Sequence, residues 1–364
     1  MSKIISIGTE TPQYKHQQKD ILSFMQNVFA MNAAEKRKLG FLYHQSGIDT
    51  RYSVLPDYSL SIDKWEFYPQ TENLDPFPSL EKRMECFHAN AAKLSVAAIQ
   101  KCIEGVIKKE EITHLVTVSC TGMSAPGLDL QVVEFLNLQP NIYRTSVNFM
   151  GCYAAIHALK IADAICKSDD RAKVMIVCTE LCTLHFQRES SINSITSSLL
   201  FADGSAAVLV THDSFNHHGL LLNSFYSEII SKGKNDMSWE LSSSGFQMTL
   251  SGYVPELIKE DFNSLVANAT KHAGISAKDV DHWCIHPGGK RILDAIAASL
   301  DFESDELVHC YDVLKEFGNM SSPTILFVLK KIMQRLNTRD RSTVFGAAFG
   351  PGLTMETFVA STHA

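Results

Sequence analysis

The strongest constraint on the fold is a repeated alternation. Short, almost wholly apolar β-type runs alternate with helical patterns that carry one apolar face. Thr113–Ser119, Lys173–Thr179 and Ala206–Thr211 are dominated by Val, Ile, Leu and Ala. Strands of that kind are covered on both faces. Between the first two lies Ala154–Lys167, whose Ala155, Ala158, Leu159, Ala162, Ile165 and Cys166 recur at helical spacing. The C-terminal third repeats the theme. Val280–Ile285 reads as a strand and Arg291–Leu300 as a helix. Ser322–Met333 reads as a second helix, with Ser322 at its N-cap and Pro323 at N1. Ser342–Phe345 and Leu353–Ala360 close the chain as strands. This alternation predicts an α/β fold with mixed sheets. A polar stretch from His212 to Gly219 sets the expected boundary between an N-terminal half, 1–215, and a C-terminal half, 216–364. A duplication is compatible with this division, but no repeat is visible in the residues themselves.

Charge and cysteines narrow the function classes. A net charge of −7 argues against nucleic acid as a partner, and an anionic substrate would need a local basic patch. The nine cysteines are irregularly spaced with no Cys-x-x-Cys pair, which excludes a zinc knuckle or a dithiol redox motif. Scattered cysteines in a long chain fit a reducing cytoplasm. The N-terminus reads as lacking a signal peptide, and no apolar run is long enough to span a bilayer.

Three loops carry chemistry. In Asn148-Phe-Met-Gly-Cys152-Tyr-Ala-Ala a β-type run ends at Gly151 and a helix begins just after the thiol. A helix start favours the thiolate, although most cysteines are simply small buried hydrophobes. In Ile285-His286-Pro287-Gly288-Gly289 a strand ends at a histidine followed by turn residues. In Phe317-Gly318-Asn319-Met320-Ser321-Ser322 the asparagine precedes a helix, where it could cap a turn or donate to an oxyanion. Together Cys152, His286 and Asn319 suit two chemistries. One is peptidase-like acyl transfer, with His activating Cys and Asn orienting His. The other is carbon–carbon condensation, with His and Asn donating to a thioester oxygen. A papain-type signature around the cysteine is absent.

Read jointly, these loops resemble the type III polyketide synthases of the chalcone and stilbene synthase superfamily. Further matching stretches are Ser119-Cys-Thr-Gly-Met-Ser-Ala-Pro-Gly127, Leu200-Phe-Ala-Asp-Gly-Ser205 and Phe349-Gly-Pro-Gly-Leu-Thr-Met-Glu-Thr357. The resemblance implies a thiolase-like layered αβαβα fold of two similar halves, usually a homodimer. It implies that Cys152 takes an acyl starter from acyl-CoA and that His286 holds it as a thiolate. His286 and Asn319 would assist decarboxylation of malonyl-CoA, with neither metal nor other cofactor. A single-condensation ketoacyl synthase and a cysteine-dependent thioester hydrolase are the rival readings.

Departures from the plant pattern bear on the cavity. Phe201 matches the family's gate aromatic, although on its own it reads as a core residue. Met248 replaces the second gate aromatic unless Phe246 takes its place. Cys120, Cys182 and His185 occupy positions that are threonines in chalcone synthases, and Ser321 follows Asn319 in the cavity wall. Glu180-Leu-Cys-Thr-Leu-His-Phe-Gln187 is similar to microbial alkylpyrone and alkylresorcinol synthases. Glu180 reads equally as a structural carboxylate or as one that orders cavity water. Ala125 stands where plant enzymes extend a methionine into the partner's cavity. For CoA, Lys38 matches one expected cation, while Phe41 and Gln45 fall where others would be. Arg51, Lys290 and Arg291 are the candidates to supply the missing charge, with Lys36 and Arg37 read as a solvated helix face.

Overall fold

A computed structural model describes residues 1–29, 31–71, 74–188, 192–303, 305–336 and 340–362, with the side chains of 192–194 outside that description. The N-terminal half holds strands β1 (Ser2–Glu10), β2 (Tyr14–Gln17), β3 (Thr50–Ser53), β4 (His114–Ser119), β5 (Tyr143–Asn148), β6 (Lys173–Leu181) and β7 (Asp203–His212). Its helices are α1 (Gln18–Val28), α2 (Ala33–Gln45), α3 (Leu80–Ile103), α4 (Leu128–Leu136), α5 (Ala154–Ser168) and α6 (Ile192–Leu200). The C-terminal half holds β8 (Leu220–Ile229), β9 (Met237–Ser242), β10 (Gly245–Leu250), β11 (His282–Ile285), β12 (Thr343–Gly350) and β13 (Thr354–Ser361). Its helices are α7 (Val254–His272), α8 (Lys290–Ser299), α9 (Val308–Phe317) and α10 (Thr324–Met333).

Nine strands form one mixed sheet in the order β11-β12-β13-β8-β1-β7-β6-β4-β5. Read outward from its centre, the sheet repeats itself. On one side β1 pairs antiparallel with β7, β7 antiparallel with β6, and β6 parallel with β4. On the other side β8 pairs antiparallel with β13, β13 antiparallel with β12, and β12 parallel with β11. The halves join through Ser2–Ile4 of β1 against Leu220–Leu222 of β8. Helix α5 enters β6 as α10 enters β12, so each half places a helix before its equivalent strand.

Burial explains the layering. Strands β4, β6 and β7 are buried along almost their whole length, as their unalternating apolar sequences require. Helices α5 and α10 each touch strands of both halves: α5 meets β6, β7 and β13, and α10 meets β11, β7 and β1. They form the central layer, and every residue from Thr324 to Leu329 is buried. Outside the sheet, α3 covers β1, β7 and β6, while α7 covers β8 and β13. The result is the expected thiolase-like αβαβα stack. Among the described residues no helix is long and apolar enough to cross a membrane.

Two local expectations need correction. Strand β7 starts at Asp203 rather than Ala206, because Asp203 and Gly204 pair with Leu181 and Glu180. Gly204 makes room for Met320, whose sulfur would lie 2.4 Å from an added Cβ. Ser322 does not cap α10: the helix begins at Thr324 after Pro323, and the Ser322 hydroxyl donates to Glu180 instead.

Gly8 of β1 sets how closely the sheet approaches α3. A Cβ there would sit 2.1 Å from the Ala98 carbonyl oxygen and 2.4 Å from the Cys102 nitrogen. Both are backbone atoms within a helix and cannot swing aside. Gly8→Ala is therefore expected to destabilise the fold by about 3 kcal/mol, read from the midpoint of urea unfolding.

Candidate active site

The Cys152 loop is built from two left-handed residues. Phe149 has φ 58° and Gly151 has φ 73°, and together they turn the chain sharply off the end of β5. Only glycine fits at 151, because an added Cβ would meet the Pro351 ring at 2.2 Å. Gly151–Tyr153 forms one 3₁₀ turn that runs straight into α5, so Cys152 lies at a helix start as expected. The Gly151 N–H donates to the Cys120 sulfur at 3.0 Å, which pins this turn to the end of β4.

Asn319 approaches from the other half. Its backbone forms a bridge with Phe201: the Asn319 N–H donates to Leu200 O and the Ala202 N–H donates to Asn319 O, each at 2.9 Å. Its side chain is oriented by two bonds. The amide oxygen accepts from the Ser321 N–H at 2.8 Å, and the amide nitrogen donates to Gly288 O at 3.1 Å. This fixes which end of the amide is the donor. The remaining amide hydrogen faces Cys152, whose thiol also lies 3.6 Å from the Ser321 hydroxyl. Ser321 itself has φ 59°, a conformation that costs energy at a non-glycine residue and is concentrated at functional sites.

His286 is held through its backbone, with its N–H donating to Ala347 O at 2.8 Å. The ring is 1% exposed, and neither nitrogen has a hydrogen-bond partner. A buried polar group left this way costs on the order of 1–3 kcal/mol, and the usual reason is a ligand that the group serves.

These groups line one cavity of about 1230 Å³, its open mouth included. Cys120, Cys182, His185, Phe201, Met248 and Ser321 line it too, as expected. Among the described residues its lining holds no Asp, Glu or Lys, and Arg51 is its charged member. Every histidine and cysteine in the wall is pushed towards its neutral form by burial. The Cys152 thiol is raised to about 12, against which the Ser321 and Asn319 contacts work only partly. The His286 and His185 imidazoles are each lowered to about 3. A lone thiolate at Cys152 is thus not what the helix start alone provides. Thiolate and imidazolium can coexist here only as a pair, each compensating the charge of the other.

The remaining wall residues sort by contact. His185 donates from Nε2 to Thr121 O at 2.7 Å and accepts from the Phe246 N–H at 3.3 Å, so its tautomer is set and it stays neutral. Phe246 is fully buried and stacks on His185 at 4.4 Å, so it is a core residue. Of the two, Met248 is the one that lines the cavity. Glu180 lies behind the wall. Its carboxylate accepts from the Cys120 N–H at 2.9 Å and from the hydroxyls of Thr121 and Ser322, each at 2.8 Å. Its bonds go to protein groups, which favours the structural reading over that of a water-ordering residue.

The candidate CoA cations diverge. Lys38 is exposed on α2. At the start of α8 Lys290 is half-buried and Arg291 exposed, paired with Asp294 and Glu256 at 2.7 and 3.0 Å. Arg51 contradicts its expected role as an entrance charge. It is 4% exposed, and its guanidinium is committed to Gln18 and to the Phe201 carbonyl inside the protein. Sequence reasoning also missed Trp239, which donates to Cys120 O at 2.7 Å, and Ile21 and Met25 of α1, all of which line the cavity. Nothing local marks these residues, since β9 and α1 reach the cavity only through the tertiary fold.

Glu180 binds the loop of Cys120 to that of Ser322, so its two substitutions should separate. In Glu180→Gln the carbonyl oxygen can still accept from the Cys120 N–H while the Ser322 hydroxyl turns to accept. A loss of about 1 kcal/mol is expected. Glu180→Ala strands several buried donors and is expected to cost about 3 kcal/mol or more, measured by the same unfolding assay.

Comparison with known proteins agrees with this geometry. The profile of the chalcone and stilbene synthase N-terminal domain matches residues 1–214, and that of the C-terminal domain matches residues 222–363. An alpha-pyrone synthesis polyketide synthase-like protein, Pks18 of Mycobacterium tuberculosis, is 29% identical over 359 residues, covering 97% of this chain and 89% of that protein. A probable polyketide synthase 1 of Dictyostelium discoideum is 29% identical over 98% of this chain, which spans 11% of that much longer protein. Among solved structures, the C-terminal type III polyketide synthase domain of Steely1, a type I/III hybrid from Dictyostelium, superposes with a TM-score of 0.90 at 27% identity. That match covers 99% of this chain and 98% of the other. PKS-I of the brown alga Ectocarpus siliculosus gives 0.91 at 26% identity, covering 99% and 97%. With both family domains matched in order on a thiolase-like fold, the chain belongs to the chalcone and stilbene synthase family, the type III polyketide synthases, acyltransferases that form carbon–carbon bonds by Claisen condensation.

Proposed function

We propose that the protein loads an acyl group from acyl-CoA onto Cys152, extends it repeatedly with malonyl-CoA, and cyclises the chain to a pyrone, resorcinol or phloroglucinol-type product. The observation that carries this reading is the convergence of Cys152, His286 and the oriented amide of Asn319 in one cavity without acids or lysines. In the loading step the Cys152 thiolate attacks the thioester carbonyl, and CoA leaves with the proton that His286 holds. In the extension step the malonyl C–CO₂ bond breaks and carbon dioxide departs. The negative charge moves to the thioester oxygen, where donors from His286 and Asn319 stabilise the enolate. The enolate carbon then attacks the acyl-Cys152 carbonyl, forming the C–C bond and returning the thiolate. No metal or redox cofactor enters this balance.

Several features fit the substrates. A lining without carboxylates or lysines suits a growing poly-β-ketone chain, whose acidic methylenes a stray base would deprotonate and so trigger early ring closure. The lining residues Ile21, Met25 and Phe186 offer an apolar surface for a starter chain. Lys38, Lys290 and Arg291 are the cations proposed to meet CoA phosphates. Gly47 follows α2 and lies against the Lys290 side chain, which sets α2 beside the start of α8. A homodimer is proposed through the β5 side of the sheet. Strand β5 ends the sheet, and Met123, Phe135 and Tyr143 nearby are 52%, 60% and 70% exposed. Free cysteines throughout the described chain fit a cytoplasmic setting.

Incubation with malonyl-CoA and straight-chain starters from butanoyl- to hexadecanoyl-CoA, followed by mass spectrometry, is expected to yield pyrones or resorcinols. Free acid alone would indicate a hydrolase, and strict dependence on acyl carrier protein would indicate a ketoacyl synthase. His286→Gln removes the partner that makes a thiolate tolerable at Cys152. The pH at which Cys152 becomes reactive to iodoacetamide is then expected to rise by about one unit or more. Superimposable pH profiles would separate His286 from thiolate formation.

A further inference from the structure

The C-terminal end of α6 has its last carbonyls bound one after another by groups from elsewhere in the chain. Ser198 O accepts from the Tyr43 hydroxyl at 3.2 Å, and Leu199 O from the Gln18 amide at 2.9 Å. Leu200 O accepts from the Asn319 N–H at 2.9 Å, and Phe201 O from the Arg51 guanidinium at 2.6 Å. A helix leaves its final carbonyls unsatisfied and partly negative, and a cation there is favoured. Arg51 is the charged member of this set. Its Nε also donates to Gln18 Oε1 at 2.9 Å, so it orients the amide that binds Leu199. Its aliphatic part lies against Gly318, where an added Cβ would be 2.8 Å from Arg51 Cγ. Gly318 has φ 69° and immediately precedes Asn319.

Two functional residues therefore share one support. Phe201 carries the carbonyl that Arg51 binds, and Asn319 is bridged to the same turn through Leu200 and Ala202. Arg51 borders the cavity, yet it is only 4% exposed and its guanidinium is turned onto Gln18 and the Phe201 carbonyl. Its part in the site follows from those two bonds.

We propose that Arg51, with Gln18, is a positioning residue that clamps the end of α6 and thereby holds the Phe201 gate and the Asn319 donor in register for the malonyl step. The part concerning malonyl rests on the function proposed above; the clamp itself does not. Cys152 belongs to a different loop, hung from Cys120, and meets the clamped turn through its contacts with Asn319 and Ser321, so its reactivity is expected to change far less than decarboxylation.

The test compares the wild type with Arg51→Lys, which keeps the charge but loses the planar fork, and with the milder Gln18→Leu. Three readouts are taken on the full chain: backbone hydrogen exchange by mass spectrometry, malonyl-CoA decarboxylation, and alkylation of Cys152 by iodoacetamide. In Arg51→Lys, exchange in segments 198–203 and 317–322 is expected to quicken by about tenfold, while that of 154–168 stays unchanged. Decarboxylation kcat should fall by about tenfold with KM within about twofold, and Cys152 alkylation should hold. Gln18→Leu should move the same readouts in the same direction by a smaller factor. Exchange that quickens everywhere, or nowhere, overturns the clamp, whether or not malonyl-CoA proves to be the substrate. Local loosening with unchanged decarboxylation, or an equal loss of alkylation, overturns its link to Asn319. A wild-type protein that does not decarboxylate malonyl-CoA would sink the proposed function, leaving the exchange data to decide the clamp.

Discussion

The active site depends on one buried carboxylate. Glu180 has no solvent exposure, and burial raises its pKa. Protein donors from two loops compensate it: the backbone of Cys120 and the hydroxyl of Thr121 from the end of β4, and the hydroxyl of Ser322 from the turn before α10. Cys120 in turn receives the N–H of Gly151, next to the nucleophile, and Ser322 follows the Asn319–Ser321 turn. A buried charge demands that its donors stay in place, because each one lost is a group stranded away from water. The loops that bring the thiol and the amide together are thus held by the need to solvate Glu180.

Symmetry supplies the rest of the placement. The half-sheets share strand order and direction, and α5 and α10 occupy equivalent places between them. Cys152 precedes one of these helices and Asn319 the other. His286 follows β11 as Cys120 follows β4, the equivalent parallel strands. Each half contributes a strand-end loop and a helix-start loop, and the cavity lies where the four meet. Neither half contains the full set of groups.

Much of this was legible in the residues, for identifiable reasons. Strands such as Lys173–Leu181 announce themselves because burial on both faces leaves an unbroken apolar run, here Val174 to Cys178. The helix after Cys152 shows its period because it packs between sheets. The three loops were readable because glycines, a proline and reactive side chains stand together in short segments. What escaped depends on long-range contacts. Arg51 reads as a surface cation, since nothing nearby in sequence reveals that the end of α6, about 150 residues later, needs its charge. The need for Gly204 comes from Met320 in the other half, which no neighbour in sequence reveals. Met248 and Phe246 lie on the same face of β10, and only packing against His185 separates wall from core.

The neutrality of the cavity has a consequence for how products diversify. With its histidines and cysteines driven to uncharged forms, Arg51 bonded to protein groups and no acid or lysine among its described lining residues, the cavity holds little machinery to dictate where a reactive chain folds upon itself. Selection among ring closures falls to shape: the bulk of Met248 and Met25 and the slim thiols of Cys120 and Cys182. Exchanging one uncharged side chain for another changes that shape without disturbing a charge balance or stranding a donor. A lineage built on this fold can therefore explore new products by small steps while its bond-forming step stays intact.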